Sequence, residues 1–213
     1  MGVKSRWSVL LIVAVCIGVI AARWKYNSHL SFDNDFLFSS TSMFFWLPLF
    51  ISLFIFGQDA SSFGLTPGDS RKGYLPAGII LLLLIPFLLI ASHRSEYITG
   101  HPADPRALNG FMQFCRFELI YGVYLFCIEF FFRGFLLFGL ERRLGWWSVL
   151  VQALAYAALQ GQAGDFALAL VSGLVLGILA IRSKSVLPSF ALHWSVLLAF
   201  DLLVISTTHR GVV

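Results

Sequence analysis

Seven stretches of this chain run nearly free of charge over the length of a bilayer crossing, and that fact constrains the fold before any motif does. They are Trp7 to Ala22, Phe36 to Phe56, Tyr74 to Ala91, Phe114 to Leu140, Trp146 to Leu159, Phe166 to Ile181 and Leu187 to Ser206. Most approach the ~20 residues that a helix needs to span a hydrocarbon core. Lipid offers no partner to backbone N–H and C=O groups, so only helices and closed barrels can cross it. The runs lack the residue-by-residue alternation of a barrel strand. The expected fold is therefore all-α, a multi-pass transmembrane bundle of about seven helices. Charged residues make up 12% of the 213 and the mean hydropathy is +0.83, against about 25% charge in an ordinary soluble domain. The lipid bilayer is thus the first partner the sequence names.

A formal net charge of +4 would suit nucleic acid, but the basic residues stand singly or in pairs at helix ends, so no nucleic-acid partner is expected. Their placement fits topology instead. With a cytosolic N-terminus, Lys4, Arg6, Arg71, Lys72, Arg142, Arg143, Arg182 and Lys184 fall inside, and Arg23, Lys25, Arg94, Arg106, Arg116 and Arg210 outside. The short segments Glu141-Arg142-Arg143 and Arg182-Ser183-Lys184 decide the sign, because Gly161 to Asp165 on the other side carries no Lys or Arg. The N-terminus reads as a retained first helix, since no small-x-small cleavage site follows its apolar run. Cys16, Cys115 and Cys127 sit in apolar surroundings without metal spacing and read as packing residues.

Two parts differ in character within one integral membrane domain, 1–213. Residues 1–110 hold three helices without a charge in their centres, and residues 111–213 hold the ionisable and amide residues that fall within spans: Glu118, Glu129, Arg133, Gln152, Gln160, His193 and Asp201. Glu118 lies close to the start of its span and reads as interfacial. Glu129 and Arg133 are different, because an ionised group inside a bilayer costs several kcal/mol unless it faces protein and finds a partner. They stand four apart, acid first, the favourable order for a helical ion pair. That pattern fits either a structural pin or chemistry.

Ser148, Gln152, Tyr156 and Gln160 follow one another at intervals of four and mark one inward face of the fifth span. Gly173 and Gly177 form a small-xxx-small pattern suited to close helix packing. Helix rise puts Glu129 ~20 Å from Arg142, Gln160 ~21 Å from Trp146 and His193 ~14 Å from Lys184. Carboxylate, amide and imidazole therefore share the middle layer of a core ~30 Å thick.

Three segments in this order, Glu129-Phe-Phe-Phe-Arg133-Gly134, Tyr156-Ala-Ala-Leu-Gln160 and Gly173 through Arg182 and Pro188 to His193, resemble the CPBP family. These are the type II CAAX prenyl protease and bacteriocin-processing (Abi) intramembrane glutamic endopeptidases. The resemblance covers about residues 115–205 and implies a prokaryotic cytoplasmic membrane. It implies a substrate too, a membrane-anchored protein or peptide cut near its hydrophobic C-terminal end, of prenylated, bacteriocin-like or sorting-signal type. The family pattern is Glu-Glu-xxx-Arg, Phe-xxx-His and His-xxx-Asn or His-xxx-Asp. The chain departs from it at Ile128, at Gln160 and at Leu197, four residues after His193. Asp201, eight residues after His193, reads either as the missing support or as an interfacial helix residue.

The roles implied are Glu129 as the base that activates water, Arg133 as its orienting partner, Gln160 as a ligand to water or oxyanion, and His193 with Asp201 as the remaining polar wall. No cofactor is expected. A zinc site is not expected either, because the chain has no HExxH motif and only His193 among membrane-helix histidines of the second half. The alternative is a catalytically impaired pseudoprotease that binds a transmembrane partner in the same cleft. A small-molecule transporter fits less well, since its spans would be broken by paired Gly or Pro and its halves would show an inverted repeat.

Overall fold

The structure is a computed structural model that describes residues 6–26, 34–94, 98, 101–160 and 165–210. Among the described residues there are helices and no strand. Six helices among these residues are long and apolar enough to cross a membrane: α1 (Arg6–Tyr26), α2 (Asp35–Ile55), α3 (Tyr74–Ala91), α4 (Phe111–Leu144), α6 (Phe166–Ser183) and α7 (Leu187–Arg210). The seventh, α5 (Trp147–Gln160), has 14 residues and is shorter. The sequence counts it with the spans because its run is equally apolar; at ~1.5 Å per residue it rises only ~21 Å.

The bundle is built around α4. Its 34 residues exceed the 27 of the apolar run Phe114 to Leu140, because both flanks, Phe111-Met-Gln113 and Glu141-Arg-Arg-Leu144, continue the helix. Every residue from Cys127 to Leu140 is buried. A helix apolar all round has no face to offer water and belongs at the centre of a larger protein, and here other helices cover it. Phe131 meets Phe44 of α2 edge-on at 5.4 Å between ring centroids, and Phe126 meets Phe190 of α7 at 5.5 Å. From α1, Ile12 lies against Gly139 and Arg23 Nη2 donates to the Tyr124 hydroxyl at 3.3 Å. Helix α3 is peripheral. It packs on α7, while Leu75, Ile79, Leu82, Leu83, Phe87 and Ile90 remain exposed on its outer face.

Helices α5 and α6 form a close antiparallel hairpin. A Cβ added at Gly173 would stand 3.0 Å from the Ala153 Cα, so glycine lets the two backbones approach. The polar stripe on α5 faces inward as its spacing requires: Ser148 and Gln152 have no accessible surface and Tyr156 is buried. Gln152 Nε2 crosses the seam to donate to the Gly173 carbonyl at 2.7 Å.

The segment between α2 and α3 tucks under the ends of α6 and α7. Asp69 N donates to the Ser183 carbonyl at 2.9 Å, Val186 N to the Gly64 carbonyl at 3.0 Å and Ser185 Oγ to the Thr66 carbonyl. Gly64 turns there at φ +80°, with the Phe138 ring where a side chain would go. This anchorage fixes the start of α7 and hence the height of His193 above it.

The Gly173 contact yields a test. Gly173→Val forces a branched side chain against the Ala153 backbone and should cost about 1–3 kcal/mol, read as a lower midpoint of thermal unfolding in detergent. Gly78→Ala, where nothing lies within 4 Å of the added carbon, should leave the midpoint unchanged or slightly raised.

Candidate active site

Helix α4 changes its winding where the charged pair sits. From Phe130 to Phe138 it is a π-helix, whose i→i+5 bonding widens the turn, and such segments recur at functional sites. Across this change Arg133 Nη1 comes within 3.2 Å of Glu129 Oε1, and neither side chain has accessible surface. Ile128 is equally buried, within the apolar core.

From α7, His193 Nδ1 reaches 2.7 Å from the same oxygen, Glu129 Oε1. An ionised carboxylate only accepts, so Nδ1 carries the hydrogen. In neutral imidazole the lone pair then belongs to Nε2. His193 keeps 13% of its side-chain surface accessible, against 0% for Glu129. The imidazole is the member of this pair that another molecule can touch.

Tyr156 of α5 closes the group. Its ring lies over the Arg133 guanidinium with Cζ 4.3 Å from the centroid, a cation–π contact that gains from being desolvated. The same ring stands edge-on to that of His193, centroids 6.2 Å apart, and to Phe132 at 5.4 Å. Gln160 Nε2 donates to the Tyr156 hydroxyl at 3.3 Å, which ties Gln160 to the cluster through the phenol. Glu129 Oε2 and the three Arg133 nitrogens are buried and make no hydrogen bond among the described residues; the contact of Nη1 with Oε1 is an ion pair without hydrogen-bond alignment. These are orphan polar atoms in the middle of the bundle, where each carries a desolvation cost.

Asp201 does not join them. Eight residues beyond His193 is ~12 Å further along α7, and there Asp201 is 1% exposed with Oδ1 2.8 Å from His101 Nδ1. Glu118 stands in the same upper layer. The sequence reading of it as interfacial is corrected: it is buried, 5% exposed, with Oε2 accepting from Trp194 Nε1 at 3.0 Å and its carboxyl facing Asp201. Position near the start of a span misleads here because α4 begins three residues before the apolar run and α7 lies alongside.

Sequence reasoning therefore brings together Glu129, Arg133, Gln160 and His193. It misses the part of Tyr156, visible only as one member of a polar stripe, and that of His101, which lies in a polar loop and gives no signal. A carboxylate holding an imidazole in one tautomer beside a buried guanidinium and a phenol can take a proton from water and stabilise a developing charge. Among the described residues no group of three or more His, Cys, Asp or Glu is arranged to hold a metal.

Residues 111–198 match the family model Rce1-like, type II CAAX prenyl endopeptidase Rce1-like. No curated protein and no solved structure matches the chain. The matched segment runs from the first residue of α4 through α5 and α6 into α7, takes in Glu129, Arg133, Gln160 and His193, and stops short of Asp201. The helices that enclose the buried Glu129–Arg133 pair are thus the part of the chain that is similar to the type II CAAX prenyl endopeptidases, Rce1-like.

Proposed function

We propose that the protein is an intramembrane endopeptidase that cuts a membrane-anchored protein or peptide near its hydrophobic C-terminal end, using water activated by the Glu129–His193 pair. The observation that carries this reading is the 2.7 Å contact of His193 Nδ1 with a carboxylate that has no accessible surface. Glu129 then holds the ring and its tautomer, while His193 Nε2 takes the proton from water. The water oxygen adds to the scissile carbonyl, the C–N bond breaks, and the imidazolium returns its proton to the leaving amine. Glu129 keeps the role of activating water but acts through the ring, because the carboxylate has no accessible surface while His193 keeps 13% of its own. Arg133 balances the carboxylate charge in a dry interior and becomes the counter-charge to the imidazolium's partner. Asp201, in the upper layer with His101, supports α7 rather than the reacting atoms.

A second reading, a pseudoprotease that binds a transmembrane partner in the same cleft, is favoured by Gln160. Its amide cannot accept a proton where the family pattern has imidazole, and its N–H is engaged by Tyr156. The two readings part on cleavage. Wild type should cut a co-expressed panel of prenylated, bacteriocin-like and sorting-signal substrates, and Glu129→Gln should reduce cutting by about 10²-fold or more with the protein still folded. His193→Ala should do the same. Equal processing by wild type and Glu129→Gln would remove the pair from the mechanism; cutting gained only in Gln160→His would establish the pseudoprotease.

Arg133→Ala should behave differently, because it leaves Glu129 buried without its cation. The expected loss is about 3–5 kcal/mol of stability, seen as poor folded yield in detergent before any activity is assayed.

The loop charges support a cytosolic N-terminus. Residues 161–164, part of the uncharged loop in that argument, lie outside the described residues. Reporter fusions should place Arg142 inside and Asp165 outside the cell; the opposite pattern at either site would reverse the topology.

A further inference from the structure

The phenol of Tyr156, like the Arg133 guanidinium, has a hydrogen that no partner among the described residues takes, and unlike Arg133 it keeps a little accessible surface. Gln160 Nε2 donates to its oxygen at 3.3 Å, and among the described residues that is the single hydrogen bond the phenol makes. A hydroxyl that accepts from one side keeps its own O–H for another partner. The ring cannot swing away, since it is 3% exposed and held between the Arg133 guanidinium, the Phe132 edge and the His193 edge. The cation against its face draws electron density from the ring, which strengthens the O–H as a donor.

We infer that Tyr156 donates the hydrogen bond that holds the scissile carbonyl oxygen as it becomes an oxyanion, with Gln160 as the residue that positions the phenol. The inference rests on the hydrolytic reading above. Water oxygen forms its bond to the carbonyl carbon, the carbonyl π pair moves onto oxygen, and Tyr156 O–H meets that charge without giving up its proton. On collapse the pair returns, the C–N bond breaks and the proton held by His193 leaves with the amine. Arg133 fits the oxyanion role less well: it has no accessible surface, and the Tyr156 ring covers one face of its guanidinium. The departure from Phe-xxx-His then has a chemical sense, because the segment Tyr156-Ala-Ala-Leu-Gln160 gains a hydroxyl at one end as it loses an imidazole at the other.

The test uses the full chain in detergent, the substrate panel above, and a hydrophobic peptide aldehyde, whose hydrate mimics the tetrahedral intermediate, beside the matching alcohol. Tyr156→Phe removes one oxygen and keeps the ring on Arg133. It should lower kcat about 10²–10³-fold with KM changed less than about twofold, and should abolish the preference of the protein for aldehyde over alcohol. Gln160→Leu keeps the phenol but frees it, and the double variant should be no worse than Tyr156→Phe alone, the non-additivity expected of two residues acting as one. If Tyr156→Phe folds poorly, Gln160→Leu alone still tests the inference, since it should lower kcat at constant KM. Wild-type kcat and aldehyde preference in Tyr156→Phe would overturn the inference while leaving the protease reading intact. A wild type that neither cuts the panel nor prefers the aldehyde would overturn both.

Discussion

The Glu129–Arg133 pair is the interaction on which the rest of this structure depends. Two full charges lie 3.2 Å apart without accessible surface, and removing such ions from water costs several kcal/mol each unless the surroundings compensate. Compensation comes from three helices. Helix α4 sets the two side chains four residues apart where its π-helical stretch begins, α7 delivers the His193 imidazole to the carboxylate, and α5 delivers the Tyr156 ring to the guanidinium. Each contact docks a helix against α4. The polar centre and the packing of the bundle are therefore one problem with one solution, because the side chains that answer the charges also dock their helices against α4.

The positions that support this centre are modest residues in unobtrusive places. Glycine at 173 brings α5 and α6 into backbone contact, Gln152 bolts that seam with a hydrogen bond to the Gly173 carbonyl, and Pro188 sits in the first turn of α7, where its missing N–H leaves no helical bond unmade. The loop beneath α6 and α7 sets the register at which α7 begins. The geometry of the four central side chains rests on these parts as well.

Much of this was legible from the chain. Glu129 and Arg133 stand out because an apolar run makes any ionisable residue conspicuous, and the meeting of Glu129 with His193 follows from counting residues inward from the loops. The stripe on α5 declares its buried face by spacing alone. Other features had no signature. The π-helical winding of Phe130–Phe138 leaves no mark in a run of phenylalanine and leucine, and the burial of Glu118 depends on an indole N–H from a helix 76 positions away. Asp201 illustrates the limit of motif reasoning: its spacing from His193 admits a supporting role, whereas a loop histidine, His101, takes its carboxylate. Local period reveals which face is inward, and only tertiary structure reveals what waits there.

The brevity of α5 reaches beyond packing. A rise of ~21 Å leaves the helix ~9 Å short of a hydrocarbon core ~30 Å thick, and the last carbonyls of any helix lack intrahelical partners. Unmet backbone groups are not tolerated where lipid reaches them, and local thinning of the bilayer is one way in which a short hydrophobic element is accommodated. Helix α5 ends at Gln160, whose amide meets the Tyr156 hydroxyl. On the proposed hydrolytic reading the site consumes water, and a bilayer thinned at the end of α5 would shorten the route by which water arrives.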